Sequence, residues 1–461
     1  MHARLASDAR DLAELLAEGC ADATAFLSEL GDRPVVPLPP AGEPSVLPRD
    51  GLGARGALAE LARRYRPWLS ASAGPRYFGF VTGGATPAAL VGDWLTSAFD
   101  QNALGVDNAA VAALERDAAG LLRQLLHLPE TQAGVFCTGT TMASFVGLAQ
   151  ARQWLGRQHG IDVAEEGAGA LPAPVVLSGT PHSSAVKALA MVGLGRRSLS
   201  RVPLLPDREA VDVAALRAAL VALGRPAVVV ANAGTVDTVD FDDLQAIAAL
   251  RRDLPFWLHV DAAFGGFAAC SPDSRHLVDG LELADSIAID LHKWLNVPYD
   301  SGIALTRHPD LRFEVFRSSA AYLGEASQAA TFHLTPESSR RLRALPTWLT
   351  LLAYGADGHR EIVERCVGLA RGLGERIAAS STLRLLAPVR LNVVCFTLAG
   401  EVTGERVARL LAEVQRGGKA FFTGTTYDGV PGARAAFSSW RTTEADMEIA
   451  WRALEEAAAA V

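Results

Sequence analysis

Short apolar runs alternate with longer stretches in which apolar residues recur every three or four positions, from about residue 85 to residue 294. The longer stretches predict helices and the short runs predict buried strands. The predicted strands are AGVFC (133–137), APVVLSG (173–179), AVVVANAG (227–234), FWLHVDAAFGG (256–266) and DSIAIDLHKW (285–294). Because these strands are almost continuously apolar and helices separate them, we expect an α/β fold with a mostly parallel sheet covered on both faces.

The two ends of the chain follow different patterns. Residues 1 to about 32 predict one amphipathic helix, and the proline-dense stretch 35–53 predicts an irregular connector. Residues 339–380 predict a long helical stretch, and the tail after it mixes strand and helix patterns as in a smaller α+β unit. We therefore predict an N-terminal helical segment (1–78), a large ligand-binding domain (79–352) and a small C-terminal domain (353–461).

Composition places the chain among ordinary globular proteins, because 49% of its 461 residues are hydrophobic and 20% are charged. The formal net charge of −8 and the lack of a basic run argue against a nucleic-acid partner. The N-terminus does not resemble a secretory signal, and no apolar run has the length of a membrane span. Five scattered cysteines favour free thiols and no metal site. We therefore predict a cytoplasmic protein with no membrane partner.

Candidate chemistry lies just after the predicted strands. Ligands of a parallel sheet bind beyond the carboxyl ends of its strands, so residues at those ends share one crevice. The rule selects small, hydroxyl-bearing and titratable residues, which are Gly139, Thr140, Thr141, His182, Ser183, Ser184, Gly234, Thr235, Asp261, Ala262, Ala263, His292 and Lys293.

Each of these features alone has a plain structural interpretation beside the functional one. The turn CTGTTMAS (137–144) offers backbone N–H groups and hydroxyls to a single phosphate, or it only caps a helix. Asp261 can pair with a protonated heterocycle, or it can end a turn. His182 can stack on a flat cofactor, or it can begin a helix.

The use of lysine distinguishes between these interpretations. Lysine occurs only at Lys187, Lys293 and Lys419 among 43 basic residues. Lys293 lies in an apolar passage, where an ammonium group is costly and a covalent imine removes its charge. Arginine cannot form that imine. Pyridoxal phosphate forms one, and it also needs a phosphate cup, an acid and a stacking partner, all of which the crevice offers.

Seven motifs between about residue 65 and the C-terminus support this interpretation together: PRYFGF (75–80), GTT (139–141), PHSS (181–184), GTVDTVDFDD (234–243), HVDAA (259–263), DLHKW (290–294) and RRLRALPTWLTLLAYG (340–355). They resemble the group II pyridoxal-phosphate-dependent amino acid decarboxylases, the family of aromatic-L-amino-acid, histidine and glutamate decarboxylases. The resemblance implies the fold-type I PLP-dependent transferase fold. In that fold a mostly parallel sheet of the seven-stranded type carries the cofactor, beside a small C-terminal α+β domain and an N-terminal helical segment.

The resemblance also implies a role for each residue of the crevice. Lys293 takes the place of the Schiff-base lysine, and Asp261 that of the acid on the pyridine nitrogen. His182 is expected to stack on the ring near the substrate carboxylate, and Ala263 to pack on its opposite face. The other implied cofactor-binding residues are Gly139, Thr140, Thr141, Thr235 and His292. The family further implies a homodimer with the site at the interface and segment 1–78 packed over the partner.

A second region that resembles the family is RSSAAYLGEASQAATFH (317–333), which takes the place of a catalytic loop with a tyrosine, here Tyr322. The implied reaction is decarboxylation of an L-amino acid to its amine and CO₂, through a Schiff base and a quinonoid. Tyr322 is then the acid that reprotonates Cα. Phenylalanine in this place is associated with aldehyde-forming relatives, so Tyr322 favours simple decarboxylation.

The predicted substrate side departs from the aromatic decarboxylases. Phe80 keeps one aromatic position, whereas Gln101 and Asn102 bring polar groups to others. Arg343 resembles the arginine that follows the loop. These four residues are the predicted substrate contacts, and the polar Gln101 and Asn102 argue against a narrow indole or catechol specificity.

Other functions stay open from the residues. A fold-type I aminotransferase, an aldehyde synthase or another PLP lyase would share the sheet and the lysine, although DLHKW and the Tyr322 loop weigh against an aminotransferase. Ser184 and Lys187 match the SxxK pattern of serine acyl-enzyme hydrolases, but no KTG or SDN partner follows. A scaffold that has lost activity would not need the intact set of Asp261, His182, Lys293 and Tyr322.

Overall fold

A computed structural model describes residues 1–39, 44–104, 109–319 and 327–461. Within these ranges the larger of two sheets has seven strands in the order β1-β7-β6-β5-β4-β2-β3. The strands are β1 (Ala133–Cys137), β2 (Val176–Ser178), β3 (Leu199–Arg201), β4 (Ala227–Asn232), β5 (Phe256–Asp261), β6 (Ser286–Asp290) and β7 (Gly302–Thr306). The pairs from β3 through β6 are parallel, and β7 runs antiparallel to both β6 and β1. The predicted mostly parallel, seven-stranded sheet is confirmed.

Both faces of this sheet are buried, as the apolar strand sequences predict. In β4, Ala227, Val229 and Ala231 pack into one hydrophobic cluster, while Val228 and Val230 pack into another on the opposite face. A strand whose alternate residues all enter a core has no polar face. This explains why the pattern of β4 is a continuous apolar run.

Two strands of the large sheet were not predicted. β7 is a short apolar segment, GIALT, that follows the Lys293 region after one turn. The sequence pattern does not separate this segment from the region before it. β3 is a three-residue edge strand with exposed polar positions and no apolar run to mark it. Short strands of this kind carry little periodic signal.

Three helices precede the large sheet: α1 (Ala3–Arg10), α2 (Leu12–Glu29) and α3 (Gly53–Arg64). The prediction of one helix over residues 1–32 is therefore wrong, because the backbone at Asp11 (ψ 13°) leaves helical geometry between α1 and α2. The Arg55 side chain of α3 binds the carboxylates of Asp11, Glu14 and Glu18 and joins the segments. None of the three helices has a buried residue, and five of their leucines are exposed, namely Leu5, Leu12, Leu16, Leu58 and Leu61.

Nine further helices belong to the region of the large sheet: α4 (Pro87–Phe99), α5 (Ala109–Leu125), α6 (Thr140–Gln158), α7 (Val163–Glu166), α8 (Ser183–Met191), α9 (Val213–Leu223), α10 (Leu244–Ala249), α11 (Leu291–Trp294) and α12 (Pro309–Phe316), counted in the described ranges. α6 is almost entirely buried and lies directly behind β6 and β7. Its N-terminus therefore points at the edge of the sheet where β1 and β6 end. No helix in the described ranges is both long and apolar enough to cross a membrane.

The C-terminal part forms a second, antiparallel sheet in the order β10-β11-β9-β8. Its strands are β8 (Leu383–Leu385), β9 (Val393–Leu398), β10 (Thr423–Tyr427) and β11 (Val430–Ala436), and its helices are α13 (Ala344–Ala379), α14 (Gly404–Gly417) and α15 (Glu444–Ala459). α13 bends at Gly355, whose φ of 59° suits glycine. This bend lies near the predicted boundary at 352/353, and the division into domains stays a prediction.

We expect the protein to lose stability in mild acid because two of its histidines are buried. Burial lowers the pKa of His259 on β5 and of His359 on α13 to about 4. Between pH 6.5 and 4 the unfolded chain binds protons that the folded chain does not, so each histidine lowers the free energy of unfolding by about 1.4 kcal/mol per pH unit. Urea unfolding at pH 7, 6 and 5 measures this slope. The variant His359→Phe is expected to show a shallower slope than the wild type, and equal slopes would contradict the assignment.

Candidate active site

The carboxyl ends of β1, β5 and β6 meet at one edge of the large sheet and border a cavity of about 320 Å³. Its lining includes seven of the nine predicted cofactor residues, namely Gly139, Thr140, Thr141, His182, Ala263, His292 and Lys293. The other lining residues are Thr138, Met142, Ser184 and Asp290. A larger groove of about 840 Å³ lies between α13 and α15 and contains none of them. The smaller cavity is therefore the candidate active site.

Close backbone packing forms one wall of the cavity. Gly139 precedes α6, and a Cβ atom there would lie 2.9 Å from Asp290 Oδ1 and from His292 Cε1. A Cβ atom on Gly302 would lie 2.5 Å from the Gly139 Cα atom. Only glycine at both positions lets β7 approach the turn before α6, which keeps the N-terminus of α6 open toward the cavity.

Lys293 projects into the cavity from the short helix α11. Its Nζ atom lies 2.9 Å from Asp290 Oδ2 and 5.6 Å from the centroid of the Phe264 ring. The amide of Asn296 holds the turn in place, because its Nδ2 atom donates to the Gly83, Lys293 and Ser438 carbonyl oxygens. The position of the lysine is thus fixed from both the large sheet and the C-terminal part.

Asp290 is a site residue that the sequence analysis did not select. Its Oδ1 atom accepts a 2.5 Å hydrogen bond from the Thr140 N–H and lies 3.3 Å from His292 Nε2. Burial raises the pKa of this carboxyl, but the neighbouring Lys293 and His292 outweigh burial and hold the pKa below its usual value. Asp290 is therefore the anionic partner of Lys293. Its place three residues before the lysine, at a strand end, was the available signal.

His292 borders the same wall, next to Gly139 and Asp290. Its Nδ1 atom accepts a hydrogen bond from the Ser301 N–H at 3.1 Å, and its ring lies 4.4 Å from the Tyr299 ring, centroid to centroid. Burial lowers the pKa of His292, against the charge of Asp290. The ring is thus predominantly neutral near pH 7.

Asp261 ends β5 and is buried beside the cavity. Its Oδ1 atom accepts a 3.1 Å hydrogen bond from the Ala263 N–H. Burial raises the pKa of Asp261, and the charges of Lys293 and His182 oppose that rise. A buried carboxyl of this kind gains from a cation placed against it. This is the environment that the acid on a pyridinium nitrogen requires.

His182 and Ser184 form the opposite side of the lining, at the start of α8. The Ser184 N–H donates to His182 Nδ1 at 3.2 Å, and the Ser184 hydroxyl lies 2.6 Å from the same nitrogen. Burial lowers the pKa of His182, Asp261 raises it, and Lys293 lowers it further. Ser183, the neighbouring residue, is exposed and is not part of the lining.

Thr235 does not line the cavity, although it was predicted to bind the cofactor. Its hydroxyl donates to Glu209 Oε2 at 2.5 Å and accepts from the Asp240 N–H. Glu209 also accepts two hydrogen bonds from Thr238. Because these contacts occupy the Thr235 hydroxyl, the structure supports a role in shaping the loop after β4 and does not support contact with the cofactor.

The predicted substrate residues are not brought to the cavity of this chain. Gln101 and Asn102 are exposed at the end of α4, where Asn102 Oδ1 accepts from the Arg340 N–H. Phe80 is 62% exposed, and Arg343 donates through Nε to Asp300 at 2.9 Å. Within one chain Phe80, Gln101 and Asn102 are thus exposed, Arg343 is half-buried, and none of the four lines the cavity. Their predicted contact with substrate stays a prediction, and it requires a second chain.

Arg434 is a buried charge near the site that the sequence analysis missed. This residue of β11 is 5% exposed, and its Nε and Nη2 atoms have no hydrogen-bond partner among the described residues. Burial lowers its pKa, while Asp237, 3.9 Å away, raises it. Its charge also lowers the pKa of His182. The sequence of β11, VPGARAA, does not show whether its arginine is buried or exposed.

Pyridoxal phosphate fits the residues that are present. Thr140 Oγ1 is buried at the N-terminus of the 19-residue helix α6 with no partner in the described part of the chain, and a phosphate oxygen would satisfy it. Lys293 supplies the amine, and Asp261 a buried carboxyl for the pyridine nitrogen. Tyr322, the predicted acid, lies outside the described residues.

Comparison with known proteins agrees with the geometry. Residues 52–399 match the family model of the pyridoxal-dependent decarboxylase conserved domain. An aromatic-L-amino-acid decarboxylase of Bacillus atrophaeus is 27% identical over 332 residues, covering 70% of this chain and 67% of that protein. A 4-hydroxyphenylacetaldehyde synthase of Rhodiola rosea is 25% identical, covering 95% and 93%. The structure of Oryza sativa TDC with PLP and tryptamine has a TM-score of 0.90 at 24% identity, covering 98% of both chains.

The fold and the lysine-bearing crevice define the class of PLP-dependent carboxy-lyases on a fold-type I scaffold. The chain belongs to the pyridoxal-dependent decarboxylase family. The predictions of pyridoxal phosphate as cofactor and of a decarboxylating enzyme are thereby confirmed. The serine hydrolase alternative gains no support, because the family match is to a decarboxylase domain and Lys187 is exposed and absent from the lining residues.

Proposed function

We propose that the protein decarboxylates an L-amino acid to the corresponding amine and CO₂. The observation that carries this proposal is the meeting of Lys293, Asp261 and His182 around one cavity, next to a helix N-terminus with an unsatisfied hydroxyl at Thr140. The family match supports decarboxylation, and the relatives named for amino acid decarboxylation support the substrate class.

Each residue of the site has a separate role in this reaction. Bound pyridoxal phosphate supplies an electron-accepting ring for the electron pair that CO₂ leaves behind. Lys293 would hold the cofactor through its amine, and Asp261 would keep the pyridine nitrogen protonated. Thr140 and the α6 N-terminus would bind the phosphate, and His182 and Ala263 would contact the ring.

The test of this proposal is a panel of L-amino acids with detection of CO₂. The purified protein is loaded with pyridoxal phosphate, and evolved CO₂ and amine are quantified for each amino acid. We expect equal amounts of amine and CO₂ from one or a few amino acids. Formation of a keto acid without CO₂ would instead identify an aminotransferase.

Aldehyde formation is the second candidate, because one similar relative is an aldehyde synthase. We propose that Tyr322 decides against it by protonating Cα after CO₂ leaves. The variant Tyr322→Phe is expected to keep the cofactor, to lose amine formation by about 10²-fold or more, and to release aldehyde, ammonia and hydrogen peroxide in its place, with O₂ as the two-electron oxidant.

The matched control for that variant is Tyr299→Phe, which removes a phenol that stacks on His292 near the same cavity. It is expected to retain amine as the main product. Chromatography of the products with an ammonia assay separates the outcomes. Unchanged amine formation in Tyr322→Phe would remove Tyr322 from the mechanism.

We further propose that the protein is a homodimer with the site at its interface. Apolar side chains lie exposed on α1 to α4 and beside the cavity, namely Leu5, Leu12, Leu16, Leu58, Leu61, Trp68, Phe80, Val91, Trp94 and Phe99. Exposed apolar surface of this extent marks an interface. The surface is continuous with Gln101 and Asn102, so a second chain there would bring the predicted substrate residues to a site. Light scattering should give twice the 48.6 kDa chain mass, and a monomer that is fully active would contradict the proposal.

We also propose a cytoplasmic location. All five cysteines are free, and four of them are buried away from any partner thiol. Free thiols of this kind are typical of a reducing compartment.

A further inference from the structure

We propose that Ser184 is a positioning residue that holds His182 as the neutral tautomer with its hydrogen on Nε2. His182 then offers the cavity a hydrogen-bond donor and not a transferable proton. The role of that donor toward a substrate rests on the proposed function, but the tautomer itself is a property of the chain alone.

The backbone N–H of Ser184 fixes the assignment. It points at His182 Nδ1 from 3.2 Å, and a backbone N–H can only donate. His182 Nδ1 must therefore carry a lone pair. The Ser184 hydroxyl, 2.6 Å from the same nitrogen, adds a second donor. In a neutral imidazole one ring nitrogen carries the hydrogen, so that hydrogen lies on Nε2.

The local structure keeps this arrangement in place. His182 is the N-cap residue of α8, with an extended backbone (φ −64°, ψ 151°), and its ring nitrogen takes the place of the usual side-chain oxygen. Ser184 is only 9% exposed, so water does not compete for the contact. A hydrogen on Nδ1 would oppose the Ser184 N–H and remove the cap.

Some of the charges around His182 raise its pKa, and others lower it. Asp261 and Asp290 favour the imidazolium form, whereas Lys293 and Arg434 disfavour it, and burial disfavours it most. These groups come from β5, β6, α11 and β11. Because the cap also requires an unprotonated Nδ1, the neutral form prevails near pH 7.

This tautomer restricts what His182 does in the reaction. A neutral imidazole N–H is far too weak an acid to deliver a proton to carbon. It can donate a hydrogen bond to an anionic oxygen, such as the carboxylate of an amino acid. His182 then orients that carboxylate without neutralising it, and the proton for Cα comes from another residue, for which Tyr322 is the candidate.

Solid-state ¹⁵N NMR of the cofactor-free protein labelled with ¹⁵N-histidine tests the tautomer. A difference spectrum against His182→Gln isolates the His182 signals. We expect at pH 7 an unprotonated Nδ1 and a protonated Nε2. A protonated Nδ1, in either the other tautomer or the imidazolium, would overturn the proposal. Since neither cofactor nor substrate is present, this failure is distinct from a failure to evolve CO₂.

Three serine variants test whether Ser184 causes the arrangement. Ser184→Ala removes the hydroxyl donor but keeps the backbone N–H, so we expect the Nε2–H tautomer to remain the major form, with an Nδ1–H signal appearing as a minor component. Ser184→Thr restores the hydroxyl and should restore the wild-type spectrum. Ser183→Ala makes the same chemical change one residue away, at an exposed position, and should leave the spectrum unchanged. A wild-type spectrum in Ser184→Ala would show that its side chain does not position His182.

Discussion

Lys293→Ala is expected to abolish both the visible absorption of bound pyridoxal phosphate and turnover, the latter by about 10⁴-fold or more. Lys293 is the lysine that lines the cavity, and its Nζ atom lies against Asp290 and above the Phe264 ring. Alanine leaves no amine to hold the cofactor covalently. Absorption spectra of the loaded protein and the rate of CO₂ release measure the two effects.

Two controls separate this chemistry from a loss of structure. Lys293→Arg keeps a positive charge beside Asp290 but cannot form an imine, so we expect it to lose the absorption band as well. Lys187→Ala changes an exposed lysine outside the lining and should keep both band and turnover. Retention of the band in Lys293→Ala, with a thermal transition like the wild type, would refute the assignment of the lysine.

Asp261→Asn is expected to lower turnover by about 10²- to 10³-fold while the cofactor still binds at Lys293. A buried carboxylate stabilises a protonated pyridine nitrogen, and an amide of nearly the same shape does not. Without the ring charge, the electron pair left by CO₂ has a poorer acceptor, which is a loss of electrostatic stabilisation in the transition state. Initial rates of CO₂ release at saturating substrate measure the loss.

A cofactor analogue provides the sharpest control for that variant. N1-methylpyridoxal phosphate carries a permanent positive charge on the ring nitrogen, so it does not depend on Asp261. Asp261→Asn loaded with this analogue is expected to recover part of the lost rate. Equal rates with both cofactors would show that Asp261 acts in another way.

The sequence alone predicts the elements that carry strong apolar patterns and the residues at their ends. The apolar runs of β4, β5 and β6 predict a doubly covered sheet, and the strand-end rule then brings Gly139, His182, Asp261 and Lys293 to one crevice. The rarity of lysine then indicates Lys293 as the residue that forms an imine with the cofactor. These inferences succeed because they depend on short-range patterns and on one topological rule.

Other features depend on contacts between distant segments, which a linear pattern does not show. Thr235 follows a strand like the true lining residues, yet its hydroxyl is taken up by Glu209 from another loop. The carboxyl of Asp290 reaches Thr140, 150 residues earlier in the chain. The burial of Arg434 depends on how the C-terminal sheet packs against the loop after β4.

The substrate residues show a limit of a different kind. Gln101 and Asn102 follow α4. In a single chain both residues are exposed, and neither lines the cavity beside Lys293. The prediction that they contact substrate concerns a surface between chains. In the proposed homodimer, the distance between these two residues and the cavity would depend on how the two chains assemble, which the sequence of one chain indicates only through its exposed apolar side chains.

The most direct measurement for the whole account is borohydride reduction of the loaded protein, followed by peptide mass spectrometry. Reduction converts an imine between lysine and pyridoxal phosphate into a stable phosphopyridoxyl adduct. The chain has three lysines, so Lys187 and Lys419 serve as internal controls. The account predicts one adduct per chain, on the peptide that contains Lys293. An adduct on Lys187 or Lys419, or none at all, would contradict it.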